Sequence, residues 1–225
     1  MQRHQVGSYR TLEEGWSALC RFFPALSLME QQVSLALYAM LAEGRPVPVE
    51  ILARATGLEA QEVEKILSRW PGLYRDACGR ITGHWGMSVV ETPHRLAFTA
   101  NAVYASCAWD ALLIPHALGA GAQVQSRCAM TGMPIMLDVG PHGAEAAGSE
   151  PVLSFIAPGL CDTAGEFARK LFRFVHFFVD EVAASEWSAR HPGTFLMSLH
   201  AAWELGRRRN EARYRGRWES SFAVF

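Results

Sequence analysis

Cys107 and Asp110, in the stretch Tyr104-Ala-Ser-Cys-Ala-Trp-Asp-Ala-Leu-Leu-Ile-Pro115, are the residues of this chain best suited to chemistry. Three positions apart, they project from one face if the segment is helical. A thiol beside a carboxylic acid joins a soft nucleophile or metal ligand to a proton donor. Spacing alone favours a small core cysteine followed by a turn or cap aspartate, since free cysteine is among the most buried residue types. His176, inside an apolar run, reads as a core histidine with a satisfied ring. His200 reads as a residue of a buried helix bonded to a backbone carbonyl. Either would complete a zinc- or copper-like ligand set with Cys107 and Asp110, but no C-x-x-C or H-x-x-x-H pair supports a resident metal. Trp85, Trp109 and Tyr104 either line an apolar pocket or fill the core. Cys20, in an amphipathic helix, and Cys78, in a turn, read as bystanders.

These groups need a scaffold, and the composition supplies one. Of 225 residues, 50% are hydrophobic and 19% charged, which favours a sizeable core over disorder. Lys+Arg 21 against Asp+Glu 22 leaves a formal charge of −1, unlike a dedicated nucleic-acid binder. The arginines from Arg207 to Arg217 read as a solvated helix end. No window approaches the roughly 18 apolar residues of a membrane helix, and no membrane partner is expected. Met1-Gln-Arg-His-Gln leads into Glu13 and Glu14 without an apolar signal core. Five cysteines, an odd number, do not suggest a secreted disulfide framework, so the expected compartment is a reducing cytoplasm.

Hydrophobic periodicity predicts helices over 30–43, 50–56 and 59–70, then a hairpin about the turn Asp76-Ala-Cys-Gly79. Helices joined by a glycine turn and followed by a hairpin form a winged-helix pattern. Its reader helix carries Glu59, Glu62 and Glu64 against Lys65 and Arg69, an acidic balance that argues against DNA. Beyond it, a strand pair is expected over 89–99 and a helix over 102–118. Two strands follow over 123–139, then a loop over 140–150 and a strand over 152–156. A helix over 163–170, a buried strand over 171–179, and helices over 185–191 and 198–209 complete the expectation. The fold class is α+β, with a helical, winged-helix-like module over 1–84 and a mixed α/β domain over 85–225.

Taken together, Leu41-Ala-Glu-Gly-Arg-Pro-Val, Cys107-Ala-Trp-Asp-Ala-Leu, Cys128-Ala-Met-Thr-Gly-Met-Pro, Val175-His-Phe-Phe and Trp187-Ser-Ala-Arg-His resemble the alkylmercury (organomercurial) lyase family. The resemblance keeps five blocks in order from about Met40 to Asn210. It implies a winged-helix-like module packed on a mixed α/β catalytic domain. It also implies protonolysis of a carbon–mercury bond, with a small organometallic or organic substrate. No organic cofactor is implied, only Hg(II) as the ion left on the protein and external thiols to accept it.

Residue by residue, the resemblance implies that Cys107 is the first catalytic cysteine and Asp110 the catalytic aspartate, the two holding mercury transiently. Cys128 matches a structural cysteine. The second catalytic cysteine falls on Phe172, and the next position, a cysteine in many members, is Arg173. Cys161, in Gly159-Leu-Cys-Asp-Thr, is the nearest replacement for the missing thiol. Two other readings stand beside a lyase. One is a divergent member using the same pocket on another organic or metal-bearing ligand. The other is a winged-helix regulator sensing metal through Cys107 and Cys128.

Overall fold

The computed structural model describes residues 12–23, 25–156 and 163–214. Helix α1 (Leu12–Leu19) leads through a 3-10 turn into α2 (Leu28–Leu41). Ser27 and Glu30 close a capping box at the start of α2, satisfying donors that a helix N-terminus leaves open. Pro48 precedes α3 (Val49–Thr56), and Gly57 ends it at φ 69°, a left-handed conformation that glycine adopts without steric cost. In α4 (Ala60–Leu67) the buried stripe is Val63, Ile66 and Leu67, the i, i+3, i+4 pattern of an amphipathic helix. It packs with Leu37, Leu41 and Leu52 in one core. Strands β1 (Leu73–Arg75) and β2 (Ile81–His84) form the wing. The Asp76 carboxylate holds their turn by accepting from the backbone N–H groups of Cys78 and Arg80. The winged-helix expectation is met.

The wing is also the edge of a larger sheet. Strands β3 (Met87–Ser88), β4 (His94–Ala97), β5 (Ala102–Ala105), β6 (Ala122–Arg127), β7 (Pro134–Gly140) and β8 (Gly143–Ala146) extend it in the order β1-β2-β3-β5-β4-β6-β7-β8. All its pairings are antiparallel. A second antiparallel sheet, ordered β10-β9-β11, comprises β9 (Val152–Ile156), β10 (Phe177–Phe178) and β11 (Thr194–Ser198). Helix α5 (Ala108–Leu118) is buried along nearly its whole length. Helices α6 (Ala164–Phe174), α7 (Glu181–Ala189) and α8 (Leu199–Tyr214) complete the fold. No helix among the described residues is long and apolar enough to cross a membrane.

Several local expectations are corrected. Residues 102–105 are a strand, not the start of a helix, because Tyr104 and Ala105 pair on both sides within the sheet, and tertiary pairing overrides local propensity. For the same reason β3 and β4 do not pair with each other; β5 lies between them. The loop at 140–150 contains β8, laddered to β7. Most relevant to the site, 171–174 continues α6 and only Phe177–Phe178 is strand. Phe167 and Leu171 fall four apart on the buried face while Arg169 and Arg173 face solvent, a helical period that outweighs the apolar density. Helix α7 begins earlier than expected, capped by Asp180, and β11 was not anticipated.

Helices α5 and α8 meet at Gly206. A β-carbon there would come within 3.0 Å of Leu113 Cβ and 3.4 Å of Trp109 Nε1, while the Trp109 indole N–H donates to the Ala202 carbonyl at 2.9 Å. Overpacking a tight core contact costs roughly 1–3 kcal/mol. The Gly206→Leu variant should lose at least that much stability in urea unfolding; an unchanged midpoint would show the contact to be loose.

Candidate active site

Cys107 is not inside a helix; it caps one. Its backbone is extended, at φ −147° and ψ 171°, and its sulfur accepts from the Asp110 backbone N–H at 3.5 Å. Asp110 sits at the third helical position and answers: the thiol donates to its Oδ2 at 3.1 Å. The pair therefore forms a sulfur version of the Ser/Glu capping arrangement. Cys107 is 1% exposed and Asp110 5%.

Two effects compete over charge. The N-terminus of α5 favours anions, but burial opposes them and wins here. Burial pushes the Asp110 carboxyl up to about 6, against the counter-pull of the Cys107 hydrogen bond and the Arg209 charge. The Cys107 thiol is held well above its ordinary value, first by burial and then by the Asp110 charge and hydrogen bond. Near neutrality the pair is thus a thiol and a carboxylate sharing one proton.

The turn joining β2 to β3 presses on that carboxylate. Trp85 and Gly86 both have positive φ, 42° and 91°, as a two-residue type I′ hairpin requires. A β-carbon on Gly86 would overlap the Asp110 carboxyl group, so glycine is needed for both space and backbone. The non-glycine residue at positive φ is held by surrounding bonds: Trp85 N–H donates to the Gly72 carbonyl at 2.9 Å, and its own carbonyl accepts from the Tyr38 hydroxyl at 2.9 Å.

A narrow pocket with free space of about 20 Å³, room for roughly one water, adjoins Asp110. Asp110 and Gly86 line it together with the aromatic walls Phe23, Trp85, Trp109, Phe167 and Phe172. Cys107 is not on that wall; it touches Asp110, which is. Phe172 faces the pocket, whereas Arg173 is exposed and sits 5.6 Å from the Phe174 ring. Cys161 lies outside the described residues. Cys128 is elsewhere, on the turn after β6, where hydrogen bonds from Thr131 and its neighbours outweigh burial and lower its thiol. His176 is half-buried and bonds the Arg173 carbonyl at 2.9 Å, as expected of a satisfied histidine. His200 is exposed, contrary to expectation. Tyr104 lies on β5 away from the pocket, while Trp85 and Trp109 line it. Among the described residues no three His, Cys, Asp or Glu side chains gather to hold a metal.

The arginine-rich helix end is not simply solvated: Arg209 and Arg213 are 2% and 1% exposed, and Arg209 lines the pocket. Their position was readable, since Ala202, Gly206, Arg209 and Arg213 recur every three or four residues on one face. Gly86 was also missed; a glycine between two short strands was its signal.

Comparison with known proteins agrees with this layout. The profile of the alkylmercury lyase family matches residues 87–210, and that of the helix-turn-helix domain of alkylmercury lyase matches residues 28–85. An alkylmercury lyase from Bacillus cereus is 36% identical over 172 residues, 76% of this chain and 77% of that protein. One from Pseudomonas putida is 35% identical over 173 residues, 76% and 80% of the two chains. One from Streptomyces lividans is 34% identical over 176 residues, 78% and 80%. The crystal structure of the mercury-bound form of MerB2 superposes with a TM-score of 0.70, covering 88% of this chain and 99% of that one at 22% identity, which establishes a shared fold.

The raised Asp110 carboxyl has a measurable consequence. Held at about 6 in the fold against an ordinary 3.8, it makes the folded chain bind more protons than the unfolded chain between those values. Stability contributed by this group therefore falls as pH rises through that window. Removing the charge with Asp110→Asn should raise stability, relative to the parent, by about 2–3 kcal/mol on going from pH 4 to pH 7.5. A pH-independent difference between the two unfolding curves would refute the buried-carboxylate assignment.

Proposed function

The chain belongs to the alkylmercury lyase family, and on that premise we propose that it cleaves carbon–mercury bonds by protonolysis, with Cys107 as the mercury-accepting thiol and Asp110 as the proton donor. The observation that carries this reading is the 3.1 Å contact between Cys107 Sγ and Asp110 Oδ2 beside an apolar pocket.

The chemistry follows from where the proton sits. Mercury is soft and prefers thiolate sulfur to oxygen or nitrogen, but a buried thiol is a poor nucleophile until it loses its proton. Asp110 accepts that proton along the existing hydrogen bond as sulfur takes R–Hg⁺ from its solution thiolate carrier. The Asp110 acid then gives the proton to the mercury-bound carbon. The carbon–mercury electron pair becomes the new C–H bond, the hydrocarbon leaves, and Hg(II) remains on sulfur. A carboxyl held at about 6 suits a group that must take and return a proton near neutrality.

Linear two-coordinate mercury needs a second sulfur, and Phe172 in the pocket wall cannot supply one. A solution thiol fills that place in this reading, and thiols also carry the ion away; Cys161 is the other candidate. That same aromatic wall favours a second reading, in which a divergent site acts on an organic ligand without mercury. A metal-sensing regulator gains no such support, because two basic side chains near the reader helix α4, Arg69 and Arg75, are paired with Glu30 and Glu64.

Incubation with phenylmercury and excess thiol should release benzene well above a thiol-only control, as measured by gas chromatography. Cys107→Ser should fall to background, and Asp110→Asn should lose roughly 10²–10⁴-fold in rate while still taking up one phenylmercury per chain by mass spectrometry. Release that does not exceed the control would reject lyase activity and leave the second reading. The parent rate should climb with thiol concentration, and Phe172→Cys should flatten that dependence; identical thiol curves would exclude position 172 as the place of the second sulfur.

A further inference from the structure

Cys107 is 1% exposed and Asp110 5%, and the pocket beside them has about 20 Å³ of free space, enough for roughly one water. Even the smallest organomercurial, a metal atom bearing one methyl group, is larger than that. Whatever reacts at the sulfur must enter past a wall that moves.

The walls are unequally fixed. Helix α5 is buried along nearly its whole length and is tied to α8 through Trp109 and Asn210, which donate to the Ala202 and Leu113 carbonyls, each at 2.9 Å. The β2–β3 turn is held from two sides, by Gly72 and by Tyr38. The 3-10 turn before α2 buries Phe22 and Phe23, and the Phe23 ring centre lies 5.8 Å from that of Trp109. Helix α6 differs from all of these. It has 11 residues, of which only Phe167 and Leu171 are buried, yet one of its faces forms a side of the pocket, from Ala164 to Phe172.

The two ends of α6 are fastened differently. At its C-terminal end the backbone is tied down: the Ser154 hydroxyl donates to the Phe174 carbonyl at 2.8 Å, and the Ala108 N–H donates to the Val175 carbonyl at 3.2 Å. Towards its start the pocket-side contacts are ring against ring. Phe167 stacks on Phe22 with centroids 4.6 Å apart and planes within 6°, and the Phe172 ring lies 6.4 Å from that of Tyr74 on β1. Aromatic contacts can part without stranding a buried polar group, the costly event when a hydrogen-bonded wall opens. Val175 leaves the helix in an extended conformation, at φ −109° and ψ 100°, where a pivot would lie.

We infer that α6 is the gate of the site: it swings about Val175, parting Phe167 from Phe22 and Phe172 from Tyr74, and so opens a path to Cys107. This concerns access to the site proposed above and rests on the lyase reading only for what enters. Phe172 travels with α6, so the open state also clears part of the wall and admits the solution thiol with the mercury it carries.

Alkylation of Cys107 by iodoacetamide, followed by peptide mass spectrometry across a urea series, tests the gate. Labelling should be nearly independent of urea at low concentration and should join the steep limb of global unfolding only later, the signature of a local opening. A rate that tracks global unfolding down to zero urea would overturn the gate. Phe22→Leu keeps the apolar burial but loses the stack, and should raise the flat limb about three- to tenfold. Val124→Ala, in the core of the large sheet, should raise the steep limb alone; the same response in both variants would overturn the latch. Phe22→Leu and Phe167→Leu together should raise the flat limb by less than the product of their separate effects, and full multiplication would show that the two rings do not part.

Tyr74→Ala identifies the moving element, because Tyr74 touches α6 and is itself 46% exposed. It should raise the flat limb about twofold. No change there, with Phe22→Leu still effective, would place the motion in the 3-10 turn and overturn the assignment to α6. Should Phe22→Leu misfold, the Tyr74→Ala series decides the matter. Iodoacetamide contains no mercury, so a flat limb without cleavage of phenylmercury would sink the lyase reading and leave the gate standing. Cleavage of phenylmercury by a protein whose Cys107 is labelled only through global unfolding would do the reverse.

Discussion

A thiol and a carboxyl group 3.1 Å apart and withdrawn from water cannot both ionise cheaply, because that would place two negative charges side by side in a medium of low dielectric. They therefore hold one proton between them. Which atom carries it depends on small changes nearby, such as a soft metal arriving at sulfur or a change in the field of a neighbouring cation. A proton poised in this way is the resource that protonolysis of a carbon–mercury bond requires, and much of the surrounding structure constrains where those two side chains stand.

Three elements distant in sequence impose the constraint. Helix α5 supplies both residues through its first turn, and the backbone N–H that Cys107 caps fixes the sulfur relative to the carboxyl. The β2–β3 turn sets Gly86 against the carboxyl, leaving no room for a side chain. Helix α8 brings buried cations: Arg209 lies over Phe23 and Trp85, and Arg213 stands 4.1 Å from the Trp85 ring. Asn210 ties α8 to α5 by donating to the Leu113 carbonyl at 2.9 Å. The N-terminal module takes part too. Ser34 on α2 bonds both His84 and Tyr214, and Tyr38 on α2 holds the Trp85 carbonyl. The winged-helix module thus acts here as a buttress for the site's tightest turn.

Legibility differed along the chain for physical reasons. The helices and wing of the N-terminal module could be read because amphipathic periodicity, proline starts and glycine stops are local signals. Residues 102–105 and 171–174 were misread because partners far along the chain decided them: sheet pairing made the first a strand, and burial of Phe167 and Leu171 made the second a helix. Cys107 and Asp110 were singled out by type and spacing, yet a shared helical face was the wrong geometry. The cap places sulfur and carboxyl in contact more directly than two positions inside a helix would.

Residue order alone carried the family relationship, the mixed α/β class and the identity of the thiol–acid pair, since motif order and hydrophobic period survive without coordinates. The orientation of Phe172 into the pocket and of Arg173 toward solvent did not follow from order. Nor did the burial of Arg209 or the pressure of Gly86 on Asp110. Those depend on the angles at which α5, α6, α8 and the sheet pack, and packing of elements far apart in the chain sets the burial, and through burial the charge, of every group at the site.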